Sequence, residues 1–121
     1  MSVFLNIPEE RVLFRSASFF IVRDQYPVSP GHSLIISAVV RPDYFALTAE
    51  EKTQLTELID RCKALIEEEF QPDGYNLGMN CGTAAGQTVP HFHCHVIPRY
   101  VGDMDDPRGG IRHCIAGRGY Y

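Results

Sequence analysis

His91-Phe92-His93-Cys94-His95-Val96-Ile97-Pro98 is the stretch on which the fold of this chain turns. Polar and apolar residues alternate from His91 to Val96. A period of two is the period of a β-strand, so Thr88 to Pro98 is predicted to be one. On it His91, His93 and His95 project from one face. Phe92, Cys94 and Val96 project from the other, into a core. Three of the five histidines therefore converge on one patch.

Upstream lies a loop of small residues, Cys81 to Gln87, and before it a fourth strand candidate, Tyr75-Asn76-Leu77-Gly78-Met79-Asn80. One long helix precedes that strand. Thr48 with Glu51 three positions on is a capping-box signature. Leu55, Leu58, Ile59, Cys62, Leu65 and Ile66 recur at spacings of three and four and form one apolar stripe, with acidic residues mostly opposite as a solvated face. Gln71-Pro72-Asp73-Gly74 is the expected stop. Further upstream, Val12-Leu13-Phe14, Phe19-Phe20-Ile21-Val22 and His32-Ser33-Leu34-Ile35-Ile36-Ser37 are strand candidates. They are separated by a polar turn and by the proline-rich Tyr26–Gly31 connection. Downstream, residues 101–121 are rich in Gly, Asp and Arg and predict an irregular but ordered tail. Helix only in the middle and short links elsewhere favour an α+β domain. We expect a five-stranded antiparallel sheet with one long helix and a short helix or turn, as a single domain over residues 1–121.

Composition sets the outer bounds. With 45% hydrophobic and 21% charged residues, the chain can build one ordinary core. A formal net charge of -4 argues against a general nucleic-acid binder. It leaves room for a small anion in a local pocket. No apolar stretch is long enough to span a bilayer, and Met1 to Asn6 does not read as a secretory signal. Cys62, Cys81, Cys94 and Cys114 contain no Cys-x-x-Cys pair, so free thiols in a cytoplasmic protein are expected.

Three imidazoles on one face permit three readings. They can ligate a metal. They can do acid–base and nucleophilic chemistry on a phosphate. Or they can be polar filler, which suits one histidine better than three, because close imidazoles repel when protonated. The flanks favour phosphate chemistry. Gly82-Thr83-Ala84-Ala85-Gly86 lets backbone N–H groups approach an anion, and Gln87 and Thr88 add donors. The nearest carboxylates downstream, which a metal site would want, lie beyond Tyr100.

The run His91-Phe92-His93-Cys94-His95-Val96-Ile97 resembles the pattern of the histidine triad (HIT) family, His-φ-His-φ-His-φ-φ with φ apolar. Ala85-Gly86-Gln87-Thr88-Val89 and Pro30-Gly31-His32 strengthen the match, and the order of motifs is similar from Phe19 to about Gly102. The segment from Gly102 to Gly110 resembles bacterial members of the diadenosine-polyphosphate-hydrolase-like branch. The resemblance implies a homodimer with joined sheets, a purine nucleotide site, and double displacement at the α-phosphorus through a nucleotidyl-histidine.

Carried over residue by residue, His93 is the nucleophile and His95 donates to the phosphate or leaving group. His91 and His32 support the imidazole network. Gln87 and Thr88 fall near the scissile phosphate, Asn80 lines the site, and Asp24 binds ribose hydroxyls. Phe4, Leu5, Phe14 and Val22 are candidates for the base slot. Read without the resemblance, Asp24 is more readily a turn residue and His32 an ordinary strand start. Arg99 is expected on the surface, Asp103, Asp105 and Asp106 as solvated loop charge, and Cys94 in the core. His113 has no evident partner.

Some family members hold a structural zinc through an N-terminal Cys-x-x-Cys; none stands here, so no such zinc is expected. No cofactor is required by the implied chemistry, with magnesium entering only as a complex with the nucleotide. Partners are then a small nucleotide and a second copy of the chain, with no nucleic acid and no membrane. A nucleotide-binding regulatory module without turnover and a histidine-cluster metal-binding protein are the competing readings.

Overall fold

Five strands, β1 (Val12–Arg15), β2 (Phe19–Arg23), β3 (Ser33–Ser37), β4 (Gly74–Gly78) and β5 (His93–Arg99), make one antiparallel sheet in the order β1-β2-β3-β5-β4. The computed structural model describes residues 2–121. One long helix, α1 (Ala49–Glu67), crosses the sheet, and the remaining helical pieces are single 3₁₀ turns. The expected α+β architecture is the one observed. Among the described residues, no helix is long and apolar enough to cross a membrane.

Helix α1 starts where its cap dictates. The Thr48 hydroxyl accepts from the Glu51 N–H at 3.0 Å, and the Glu51 carboxylate accepts from the Thr48 N–H at 2.7 Å. Glu51 is nearly buried, and Arg41 neutralises it at 3.1 Å. Leu55, Leu58, Cys62 and Ile66 form the buried stripe, with Ile59 and Leu65 flanking it. The helix stops at Glu67, short of Pro72, and Gly74 opens β4 instead.

The sheet is covered on both faces. Phe19, Ile21, Ile35, Phe92, Cys94 and Val96 pack against α1. Phe20, Val22, Leu34 and Ile36 pack under Phe4, Ile7 and Val12, so the N-terminal turns form a partial second layer. The histidine face of β5 lies on that second side.

Strand β5 begins at His93, five residues later than the Thr88 start predicted from sequence. Pro90 has no N–H to give to a ladder. The His91 N–H turns back to the Val89 carbonyl, and the Phe92 N–H goes to the Arg41 carbonyl. Pairing with β3 is picked up by the Ser37 N–H on the Phe92 carbonyl. The alternation of side chains nonetheless holds from Phe92 onwards.

Gly31 sets the entry into β3. Its φ is +89°, and a Cβ there would lie 2.9 Å from Phe70 Cδ2. Only glycine takes both the conformation and the space without strain. His32 is thereby delivered to the end of β3 beside Asp24, whose N–H donates to the His32 carbonyl at 2.9 Å.

The tail after β5 has one turn, Gly110–Cys114, and is held by its own contacts. His113 Nε2 donates to the Arg108 carbonyl at 2.8 Å, and its ring packs edge-on against Tyr120. Arg99 is held by Asp103 and Asn76, and this pairing keeps the Asp103 carboxyl near 2. All four thiols are free; burial pushes Cys62 up to about 11 and Cys94 up to about 12, so neither is a nucleophile.

Candidate active site

Cross-strand register gathers the site. Leu34 on β3 lies opposite His95, and Ile36 lies opposite His93. Val22 on β2 is opposite Leu34. Directly opposed residues share a face, so an apolar row leads straight into the histidines. Gly78 on β4 is the other neighbour of His95 and presents no side chain there.

The protonation pattern follows from partners that can act in one way only. The His91 carbonyl can only accept, so His93 Nδ1, 2.8 Å away, must carry a hydrogen. In the neutral ring the lone pair then sits on His93 Nε2. The Ser37 carbonyl at 2.7 Å likewise requires a hydrogen on His91 Nε2, leaving His91 Nδ1 to accept from the Ser2 hydroxyl at 2.6 Å. The Val28 N–H donates to His32 Nδ1 at 3.1 Å, so His32 carries its hydrogen on Nε2. That hydrogen points at His95 Nδ1, 2.9 Å away. His95 therefore bears its own hydrogen on Nε2.

His93 and His95 thus differ although they share a strand face: one offers a lone pair, the other an N–H. Their rings are 5.2 Å apart. Burial holds His32 and His91 below the ordinary imidazole range. Burial, reinforced by the neighbouring His93 and His32, lowers His95 to about 4.

A cleft of about 500 Å³ opens in front of this pair. Phe4, Ile7, Val22 and Leu34 give it an apolar wall, and Asp24, Arg11 and Thr88 give it polar groups. The Phe4 ring also packs edge-on against His91 and His93. Of the residues singled out from sequence, His93, His95, Asp24, Thr88, Val22 and Phe4 line this cleft. His91, fully buried, and His32, 3% exposed, stand behind it.

Four residues fall elsewhere. The Gln87 carboxamide is bonded at both ends: Oε1 accepts from the Gly82 N–H, and Nε2 donates to the Pro42 and Val89 carbonyls. It braces the loop and does not reach the cleft. Asn80 is exposed and lines a separate cleft with His32, His95 and the tail. Phe14 packs on the α1 side, and Leu5 points largely to solvent. In the small-residue loop the amides of Gly82, Ala85, Gly86 and Gln87 are bonded within the loop itself.

Sequence reading missed Ser2, Ser37, Val28 and Arg11. Ser2 and Ser37 act through a hydroxyl and a carbonyl brought to His91 from far along the chain, and Val28 through a backbone amide four residues before His32, which no side-chain motif announces. Arg11, at the end of a 3₁₀ turn, is anchored by the Arg23 carbonyl.

Asp24, His32 and His95 each place one donor atom within 4.8 Å of the others, a spacing a metal ion would accept. The donor chemistry does not fit as arranged. A metal needs the lone pair of His32 Nε2, and the Val28 N–H keeps that lone pair on Nδ1.

A family model described as the HIT domain matches residues 6–102. The chain is 35% identical over 100 residues to a bis(5'-adenosyl)-triphosphatase of Dictyostelium discoideum, covering 83% of this chain and 67% of that protein. It is 39% identical over 80 residues to an asymmetrical bis(5'-nucleosyl)-tetraphosphatase of Schizosaccharomyces pombe, covering 66% of this chain and 44% of that one. A crystal structure of a HIT family protein from Bacillus anthracis superposes with a TM-score of 0.71 at 38% identity, over 76% of this chain and 65% of the other. The match thus spans from under half to two thirds of these relatives' lengths.

Proposed function

Because this chain belongs to the HIT family, we propose that it cleaves a purine nucleotide anhydride or phosphoramidate at the α-phosphate through a covalent nucleotidyl-histidine. The observation that carries the reading is the opposite state of two ring nitrogens on one cleft, a lone pair on His93 Nε2 and a hydrogen on His95 Nε2. The names of the curated relatives point to dinucleoside polyphosphates as the substrate class.

His93 Nε2 attacks the α-phosphorus. The new N–P bond forms as the bond to the leaving group breaks, and the positive charge on the imidazole is held by its Nδ1–H on the His91 carbonyl. His95 Nε2–H faces the departing atom and the phosphoryl oxygens, where charge develops. Water then attacks phosphorus, the P–N bond breaks, and a nucleoside monophosphate leaves. The apolar wall of Phe4, Ile7, Val22 and Leu34 takes the base, and Asp24 accepts from the ribose hydroxyls. Arg11 on the same cleft opposes phosphate charge. The scheme uses no protein-held metal, and magnesium enters as a complex with the substrate.

The active form we propose is a cytoplasmic homodimer. Strand β4 is a free edge, and beside it Leu77, Met79, Ile111 and Ile115 are exposed.

The test is a panel of dinucleoside polyphosphates and nucleoside phosphoramidates with mass spectrometry of the quenched protein. A nucleotidyl adduct on His93 is expected, and His93→Ala should lower turnover by roughly four orders of magnitude or more with the fold retained. Full activity in His93→Ala sinks the mechanism. Tight monophosphate binding with no turnover on any substrate marks a regulatory module instead.

A further inference from the structure

If a neutral His95 gives up its Nε2 proton, it becomes an unfavourable imidazolate unless Nδ1 gains a proton. His32 cannot supply that proton cheaply. It is itself neutral, and the Val28 N–H already occupies its other nitrogen. Nor can His32 accept from a protonated His95, because His32 Nε2 already carries a hydrogen. When His95 is doubly protonated, two N–H groups face each other across the 2.9 Å contact and one must find another acceptor.

One acceptor stands within reach of both. Asp24 Oδ2 lies 3.4 Å from His32 Nε2 and 4.0 Å from His95 Nδ1. Its other oxygen, Oδ1, is fixed by the Tyr26 N–H at 2.8 Å, so the carboxylate is held against the pair. It is 15% exposed, which keeps solvent from screening its charge fully.

We propose that Asp24, beyond holding the ribose, is the positioning counter-ion that lets His95 become imidazolium. In the resting site His32 Nε2–H donates to His95 Nδ1 and keeps His95 neutral. On protonation of His95, the His32 and His95 N–H groups both turn to Asp24 Oδ2. His95 can then release its Nε2 proton to the leaving group and become a neutral ring whose Nδ1 hydrogen stays on Asp24 Oδ2; loss of that hydrogen to solvent and gain of one at Nε2 restores the resting tautomer. The proton comes from solvent or from the arriving anionic substrate, and one is lost for each one gained.

The groups facing His95 are few. His93 and His32 oppose its charge, and Asp24 favours it. Arg11 and Tyr26 share the cleft in front of it, and Cys114 shares the cleft on its other side. Asp24 is the only carboxylate among these lining residues.

This inference rests on His95 being the proton donor of the reaction proposed above. Its test is Asp24→Asn, with Asp24→Glu to restore charge. The carboxamide oxygen keeps the Tyr26 N–H satisfied, so the turn survives. Imidazole nitrogen shifts followed by NMR from pH 7 to 4.5, without substrate, should show the His95 imidazolium fraction about tenfold lower in Asp24→Asn at a given acid pH and restored in Asp24→Glu. In turnover, kcat should fall in Asp24→Asn for both a ribonucleotide and its 2'-deoxy analogue, with the acid limb displaced by about one pH unit. If Asp24 only grips ribose, the substitution raises KM for the ribonucleotide alone and leaves the His95 titration unmoved, which overturns the proposal. Because the titration needs no substrate, failure of every substrate in the panel leaves this measurement readable.

Discussion

His93 and His95 stand two residues apart, yet the atoms behind them put their cleft-facing nitrogens in opposite states. The same atoms make acid costly to the fold. His32, His91 and His95 all bind protons less readily when folded than the ordinary imidazole does. Below about pH 6.5 the unfolded chain therefore takes up protons that the folded chain refuses. These three groups leave stability unchanged above that value and erode it as pH falls towards 4. Melting temperature should decline through that window, before the carboxylates are protonated, and less steeply in His95→Gln. A flat profile from pH 6.5 to 4.5 would contradict the buried neutral network. The three hydrogen bonds of the Gln87 side chain hold the loop, so Gln87→Ala should speed hydrogen exchange at the Gly82 amide by at least about fivefold, equivalent to one lost hydrogen bond. Unchanged exchange there would return Gln87 to the role its motif position implies.

At the scale of elements, the N-terminus of α1 and the entry to β3 carry the most specific sequence. The Thr48–Glu51 box satisfies the first turn of the helix and, through Arg41, ties it to the start of the histidine strand. Thr48→Ala should cost about 1 kcal/mol in chemical denaturation. Thr56→Ala, at an exposed mid-helix site, should stay within a few tenths. Gly31→Ala should cost more than about 1 kcal/mol, because it meets both a positive φ and the Phe70 ring. It should also disturb His32 and so reduce turnover. These elements were legible because caps, stripes and turn glycines act through near neighbours. The late start of β5 was not, because it depends on what Arg41 and Ser37 offer to the Phe92 backbone.

For the whole molecule, the free β4 edge and its apolar surroundings are the surface on which the proposed homodimer would form. Sedimentation should give twice the 13.6 kDa chain mass, and Leu77→Lys should shift the population towards monomer. A monomer at micromolar concentration would dismiss the dimer. Two clefts meet at His95, one walled by the N-terminal turns and one by the tail. Neither is contiguous in sequence, which is why Arg11 and Ile7 went unnoticed and Phe14, a plausible base contact by type, proved to pack beneath α1.

The alternation from His91 to Val96, the α1 stripe and the capping box determined by themselves that this is an α+β sheet with three imidazoles on one face, because side-chain period is a local property of the backbone. The tertiary structure decided which nitrogen of each ring is free. His32 meets His95 across 63 residues, and His91 meets Ser37 across 54. A ring's tautomer is set by whichever donor or acceptor packs against it; for His32, His91 and His93 that is a backbone group of a kind every residue carries, and for His95 it is the His32 ring itself. The identity of these partners leaves no trace in the sequence until the chain is folded.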